Sequence, residues 1–186
     1  MRIRSIYAGL LAATLFLAAA CTTIPAGSDR YSGANFDAYR TYAWISNDPL
    51  VKLAGTQQDV SALTVRRLRE AIEAELSAKN YKKVDAAAQA DFVVAFSVGT
   101  RDRLDAQSYP LPYRGPWEWE SHHNDVEVNT YVEGTLSVDV FDGASKQPVW
   151  HGWATKVITN EDKSNPAPVI QRAVSTILAP FPARHN

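Results

Sequence analysis

One cysteine, two adjacent histidines and a run of aromatic rings are the side chains in this sequence whose types and spacing could do chemistry. Cys21 is the only thiol in the chain, so it has no internal disulfide partner and its sulfur is open to modification. His122, His123 and Asp125, with Glu118 and Glu120 just before them, bring together imidazole and carboxylate donors of the kind that bind zinc or copper. The paired spacings that mark structural metal sites are missing, so these residues are read as solvated loop side chains, with metal ligation as the alternative. Tyr109, Tyr113, Trp117 and Trp119 offer rigid amphipathic area for a glycan, a lipid interface or a protein groove. His151 stands in a strand pattern between Trp150 and Trp153 and is read as a hydrogen-bonded sheet residue. There is no G-x-S-x-G elbow, no H-E-x-x-H helix and no glycine-rich phosphate loop, so no catalytic residue and no cofactor is assigned.

The start of the chain says what modifies Cys21. Arg2 and Arg4 form a short positive region, and Ile6 to Leu17 an apolar run of roughly a dozen residues, within signal-peptide range and short of the ~20 needed to span a bilayer. Leu17, Ala18, Ala19 and Ala20 then lead directly into Cys21, which resembles the bacterial lipobox. That resemblance implies acylation of Cys21 and its exposure as the first residue of the mature chain, with diacylglyceryl, palmitate-type chains holding the protein on a membrane it does not cross. Arg2 and Arg4 are not adjacent, which points to general export over a twin-arginine route. By resemblance to lipoprotein sorting in enterobacteria, Thr22 in place of Asp favours the periplasmic face of the outer membrane of a Gram-negative cell. The formal charge of −1 becomes two units more negative when Arg2 and Arg4 leave with the leader. A slightly acidic domain lacks the basic stripe that nucleic acid demands.

The elements that must position these residues can be read in order. Residues 1–20 are the leader, 21–35 a lipidated N-terminus and flexible tether, 36–182 a single domain and 183–186 a tail. Aromatic and β-branched residues predict a strand over Tyr39–Ile45, with Tyr42 and Trp44 as core. Val60, Leu63, Thr64, Leu68, Ala71, Ile72 and Leu76 fall on one face of a helix over Gln57–Lys79, with Asn80 as a left-handed stop. The basic run at Arg66, Arg67 and Arg69 is matched by Glu70 and Glu73 at ion-pair spacing, the pattern of a solvated face. Alternation predicts a strand over Asp91–Thr100 and another over Val126–Phe141, with the stretch Arg101–Asp125 between them as a long loop. That loop is read either as a contact surface or as a lid folded over the open sheet face. Asp142–Lys146 is a turn, Pro148–Ile158 the returning strand of a hairpin, and Gly134 and Gly152 leave room for the rings of Trp150 and Trp153. Ser164, Asn165 and Pro166 open a last helix with Ile170, Ala173, Val174, Ile177 and Leu178 as its stripe. The order β-α-β-β-β-α predicts an α+β fold, a mixed four-stranded sheet with two helices packed on one face.

Taken together, F-x-x-Y-x-T-Y-x-W at Phe36–Trp44, ADFVVAF at Ala90–Phe96, YVEGTLSVDVFD at Tyr131–Asp142 and PVWHGWA at Pro148–Ala154 are similar to the bacterial lipoprotein family called domain of unknown function 4136. The resemblance implies a small exported α+β domain on a lipid anchor, with no agreed activity, cofactor or catalytic residue. Three functions then remain open: a non-catalytic binding or accessory module that touches an envelope protein or glycan, a purely structural envelope lipoprotein, and a metal-dependent enzyme or metal carrier.

Overall fold

The structure, a computed structural model, describes residues 24–51, 60–108 and 126–184. Its centre is one mixed sheet of six strands: β1 (Ala26–Arg30), β2 (Thr41–Trp44), β3 (Lys82–Lys83), β4 (Phe92–Ser108), β5 (Val126–Asp142) and β6 (Pro148–Val157). Across the sheet they lie in the order β1-β6-β5-β4-β2-β3. Three helices accompany it: α1 (Ala62–Ala78), α2 (Asn160–Ser164) and α3 (Pro166–Leu178).

The α+β class and the mixed sheet follow the sequence pattern; the strand count does not. The sheet has six strands rather than four, and the two additions are both edges. β1 forms from AGSDR, inside the stretch read as a tether, and pairs antiparallel with β6 from Ala26↔Ala154 to Arg30↔Trp150. Nothing in its small polar side chains alternates, so only the backbone groups offered by β6 make it a strand. β3 is two lysines laid parallel to β2. α2 is a further addition, built on a capping box in which the Thr159 hydroxyl accepts from the Asp162 amide and the Asp162 carboxylate accepts from the Thr159 amide.

β2 and β4 are parallel neighbours, and the connection through α1 supplies the crossover that parallel strands need. β4 continues to Ser108, so residues 101–108 of the predicted loop are strand, paired with β5 out to Ser108↔Val126. In the sequence RDRLDAQS the odd positions are all polar and Asp102 and Ser108 interrupt the even ones, so the period-two signal of a half-buried strand is weak. The β5–β6 hairpin turns at Asp142, whose Oδ1 accepts from the amides of Ala144 (3.1 Å) and Ser145 (2.7 Å), while Lys146 takes a left-handed φ of 61°.

α1 buries Leu68, Ile72 and Leu76, and its start is capped by the Ser61 hydroxyl accepting from the Thr64 amide at 3.2 Å. Asn80 ends it at φ 68°. Leu63, predicted on the apolar stripe, is exposed, and Val65 packs on the core instead. α3 buries Val174, Ile177 and Leu178. Both helices join one core with the even-numbered residues of β4 and β5, Phe92, Val94, Phe96, Leu136, Val138 and Val140.

The two ends of this helix–sheet layer are filled differently. At one end Phe92 meets the rings of Tyr39, Tyr42, Tyr81 and Phe181, and Phe181 in turn meets Phe36 and Trp150, all at centroid distances of 5.1–5.9 Å. At the other end Val98, Leu136 and Ala154 of the sheet, Leu68 of α1, Ile170 and Ala173 of α3, and Ile24 line a cavity of about 210 Å³.

Candidate functional site

Of the residues whose chemistry the sequence brings forward, His151 is described, while Cys21, Tyr109, Tyr113, Trp117, Glu118, Trp119, Glu120, His122, His123 and Asp125 lie outside the described residues. What the structure does describe is their platform. β5 pairs with β6 from Glu133 onward, so the outer parts of β4 and β5 pair only with each other, as two arms that lead to and from residues 109–125.

At the base of these arms, on the sheet face opposite the helices, Glu133 is a nearly buried carboxylate. It accepts from Arg101 Nε and from Arg103, each at 2.8 Å, and the bonds from Arg101 and then Arg103 hold its carboxyl below its ordinary pKa. Arg101 and Arg103 stand two apart and therefore on one strand face, which is the signal that could have found the cluster.

Further along the same face, His151 Nδ1 lies 2.6 Å from Asp139 Oδ1, in the hydrogen-bonded role expected for it. The imidazole stacks on Trp153 with centroids 5.4 Å apart and planes 24° from parallel. Trp153 lies across Gly27 of β1, where a Cβ would fall 2.4 Å from the indole, so an edge glycine is what lets the ring lie down. The Trp150 ring covers Gly152 as predicted, whereas Gly134 faces Ile158 and no tryptophan. The cross-strand register adds Asp29 beside His151, and Ser97 bonded to Ser137 at 2.6 Å beside Trp153. The result is a half-exposed indole, 38% accessible, in a frame of fixed carboxylate, imidazole and hydroxyl groups. That combination suits a ligand with an apolar ring face and polar edges. Among the described residues, no group of three or more His, Cys, Asp or Glu side chains is placed to hold a metal ion.

Tyr42 and Trp44 are core, as predicted. The Trp44 indole N–H donates to Glu73 at 2.7 Å, and Lys83 reaches the same oxygen at 2.6 Å. Burial pushes the Glu73 carboxyl up, and these bonds outweigh it and leave it below its ordinary value. Arg66 pairs with Glu70 at 2.8 Å, while Arg69 lies over the Trp44 ring and donates to the Asn47 carbonyl, so the basic run is largely tied up locally.

Fold and site together define a single α+β domain in which α1 and α3 pack on one sheet face, while among the described residues the part of the other face around His151 and Trp153 carries no α-helix. The chain belongs to the family described as domain of unknown function, DUF4136, whose model matches residues 27–183. Among solved structures it is similar to a DUF4136 family protein from Bacteroides thetaiotaomicron, at 14% identity and TM-score 0.54, covering 84% of this chain and 94% of that one. It is also similar to a PelC dodecamer protein from Paraburkholderia phytofirmans, at 11% identity and TM-score 0.50, covering 88% of this chain and 100% of that one. No curated protein matches the sequence. No described helix is long and apolar enough to cross a membrane.

Proposed function

We propose that this protein is a lipid-anchored envelope lipoprotein that works as a non-catalytic binding module on the periplasmic face of the outer membrane. It holds no cofactor and engages an envelope protein or glycan through the sheet face opposite α1 and α3 and the segment that the β4 and β5 arms carry. The observation that supports this reading is Trp153, a half-exposed indole braced between Gly27 and the His151–Asp139 pair on the sheet face opposite α1 and α3. A half-exposed indole held in place by a stacked imidazole and flanked by fixed polar groups offers a preformed apolar surface with hydrogen-bonding edges. Tyr109, Tyr113, Trp117 and Trp119 lie in the connection between β4 and β5 and supply further rings in the sequence.

The test is photo-crosslinking in cells from a reactive amino acid placed at position 153 and, separately, at 119. A discrete glycan or protein adduct from both positions is expected. Adducts confined to the protein's own sheet would overturn the binding reading in favour of a structural lipoprotein. The anchor is checked independently by palmitate labelling, which Cys21→Ser should abolish along with recovery in the membrane fraction.

A further inference from the structure

The apolar cavity lies on the helix side of the sheet, away from Trp153 and its neighbours. Its floor is Val98, Leu136 and Ala154, and its walls are Leu68 of α1 and Ile170 and Ala173 of α3. At about 210 Å³ it is larger than the ~150 Å³ of a sealed apolar cavity that accepts benzene, and it opens to the surface, so a chain can enter it. An apolar-lined pocket rewards a hydrocarbon occupant over a hydrated one.

Two observations identify the occupant. First, Ile24 lines the cavity and is 5% exposed, and two residues separate it from Cys21. Covalent geometry limits the Cα distance between Cys21 and Ile24 to about 11 Å, so a long acyl chain on Cys21 can reach the cavity. Second, the one cation at the rim is already used. The Lys156 ammonium is bonded to the Asp162 carboxylate, which also accepts from the Thr159 amide at 2.9 Å and its hydroxyl at 2.8 Å. Among the described lining residues no free positive charge remains for the carboxylate of a free fatty acid or the phosphate of a phospholipid. A chain whose polar end is covalently held elsewhere needs no such partner.

Resting on the lipid-anchor reading above, we infer that the cavity receives one acyl chain of the protein's own modified Cys21. The cavity volume suits part of one chain, so the remaining chains stay in the bilayer. Withdrawal of one chain would draw the β1 edge toward the membrane surface and hold the sheet in a defined orientation there.

The experiment feeds cells that express the full-length protein a diazirine-bearing palmitate, irradiates the membranes and maps adducts by mass spectrometry. Adducts joining the Cys21 peptide to the peptides carrying Val98, Ala154 or Ala173 are expected. Ala173→Phe, which fills the cavity, should remove them while label at Cys21 is unchanged; Val98→Phe repeats the test from the sheet side if the first variant does not fold. Label at Cys21 with adducts only to lipid would overturn this inference and leave the anchor standing. Absence of label at Cys21 would overturn both. Cavity adducts of equal yield in Cys21→Ser cells would show that a chain from another source fills the space, which also overturns the inference.

Discussion

The two ends of the helix–sheet layer are built from the same elements and solve the packing problem in opposite ways. Around Phe92 and Phe181 the space between the layers is filled by rings meeting edge to face or tilted, and nothing is left over. Around Val98 and Ala173 the facing residues are small or aliphatic, and about 210 Å³ stays empty. Protein interiors normally close-pack, so an open pocket beside a ring-packed end is a difference that truncation and filling can measure.

The largest test of that contrast is a pair of truncations. Phe92→Ala, at a fully buried ring with four ring neighbours, should cost about 3–5 kcal/mol in urea unfolding. Val98→Ala, on the cavity floor, should cost about 1 kcal/mol because few contacts are lost there. Equal costs would mean that the two ends are packed alike. A second pair adds volume. A Cβ on Gly152 would stand 2.2 Å from the Trp150 ring and 2.9 Å from Ile177, so Gly152→Ala should cost about 1–3 kcal/mol. On Gly134 it would stand 2.9 Å from the end of Ile158, a side chain that can swing into the cavity, so Gly134→Ala should cost less than about 1 kcal/mol.

Acid sharpens the comparison from the closed end. Asp142 accepts from the Ser145 amide and hydroxyl, the Tyr39 hydroxyl and the Ala144 amide, and these bonds lower its pKa from 3.8 to about 2. A depressed folded-state pKa contributes stability that is complete above the unfolded value near 4 and is lost as pH falls toward 2. Discounted for partial solvent exposure, Asp142→Asn should cost on the order of 1 kcal/mol at pH 6 and almost nothing at pH 2, read from paired denaturation curves. A cost independent of pH would remove Asp142 as an acid-sensitive lock. The smallest effect belongs to the face opposite α1 and α3, where Trp153→Ala should change stability by less than about 1 kcal/mol. A larger loss would make Trp153 part of the core scaffold and move binding elsewhere.

Much of this arrangement was legible in advance. The β5–β6 hairpin and the buried faces of α1 and α3 follow from residues that repeat at two or three-to-four spacing, because apolar side chains must reach one core. Cys21 and its leader depend on local order along the chain, and that reading needs no fold at all. The residues marked for contact in 109–125 were chosen by composition, and composition cannot see Trp153, whose exposure depends on Gly27 arriving at the neighbouring strand.

The sequence by itself determined which stretches are apolar on one side, where turns and caps fall, and that the first residues resemble a lipid-modified leader, because each of these is written in neighbouring side chains. Only the tertiary structure decided that β1 and β3 are strands, that Glu133 is buried between two arginines and that one end of the core is left open. Edge strands are made by hydrogen bonds to another strand's backbone, buried charges by partners across a sheet, and cavities by residues distant in sequence, so no local pattern can announce them.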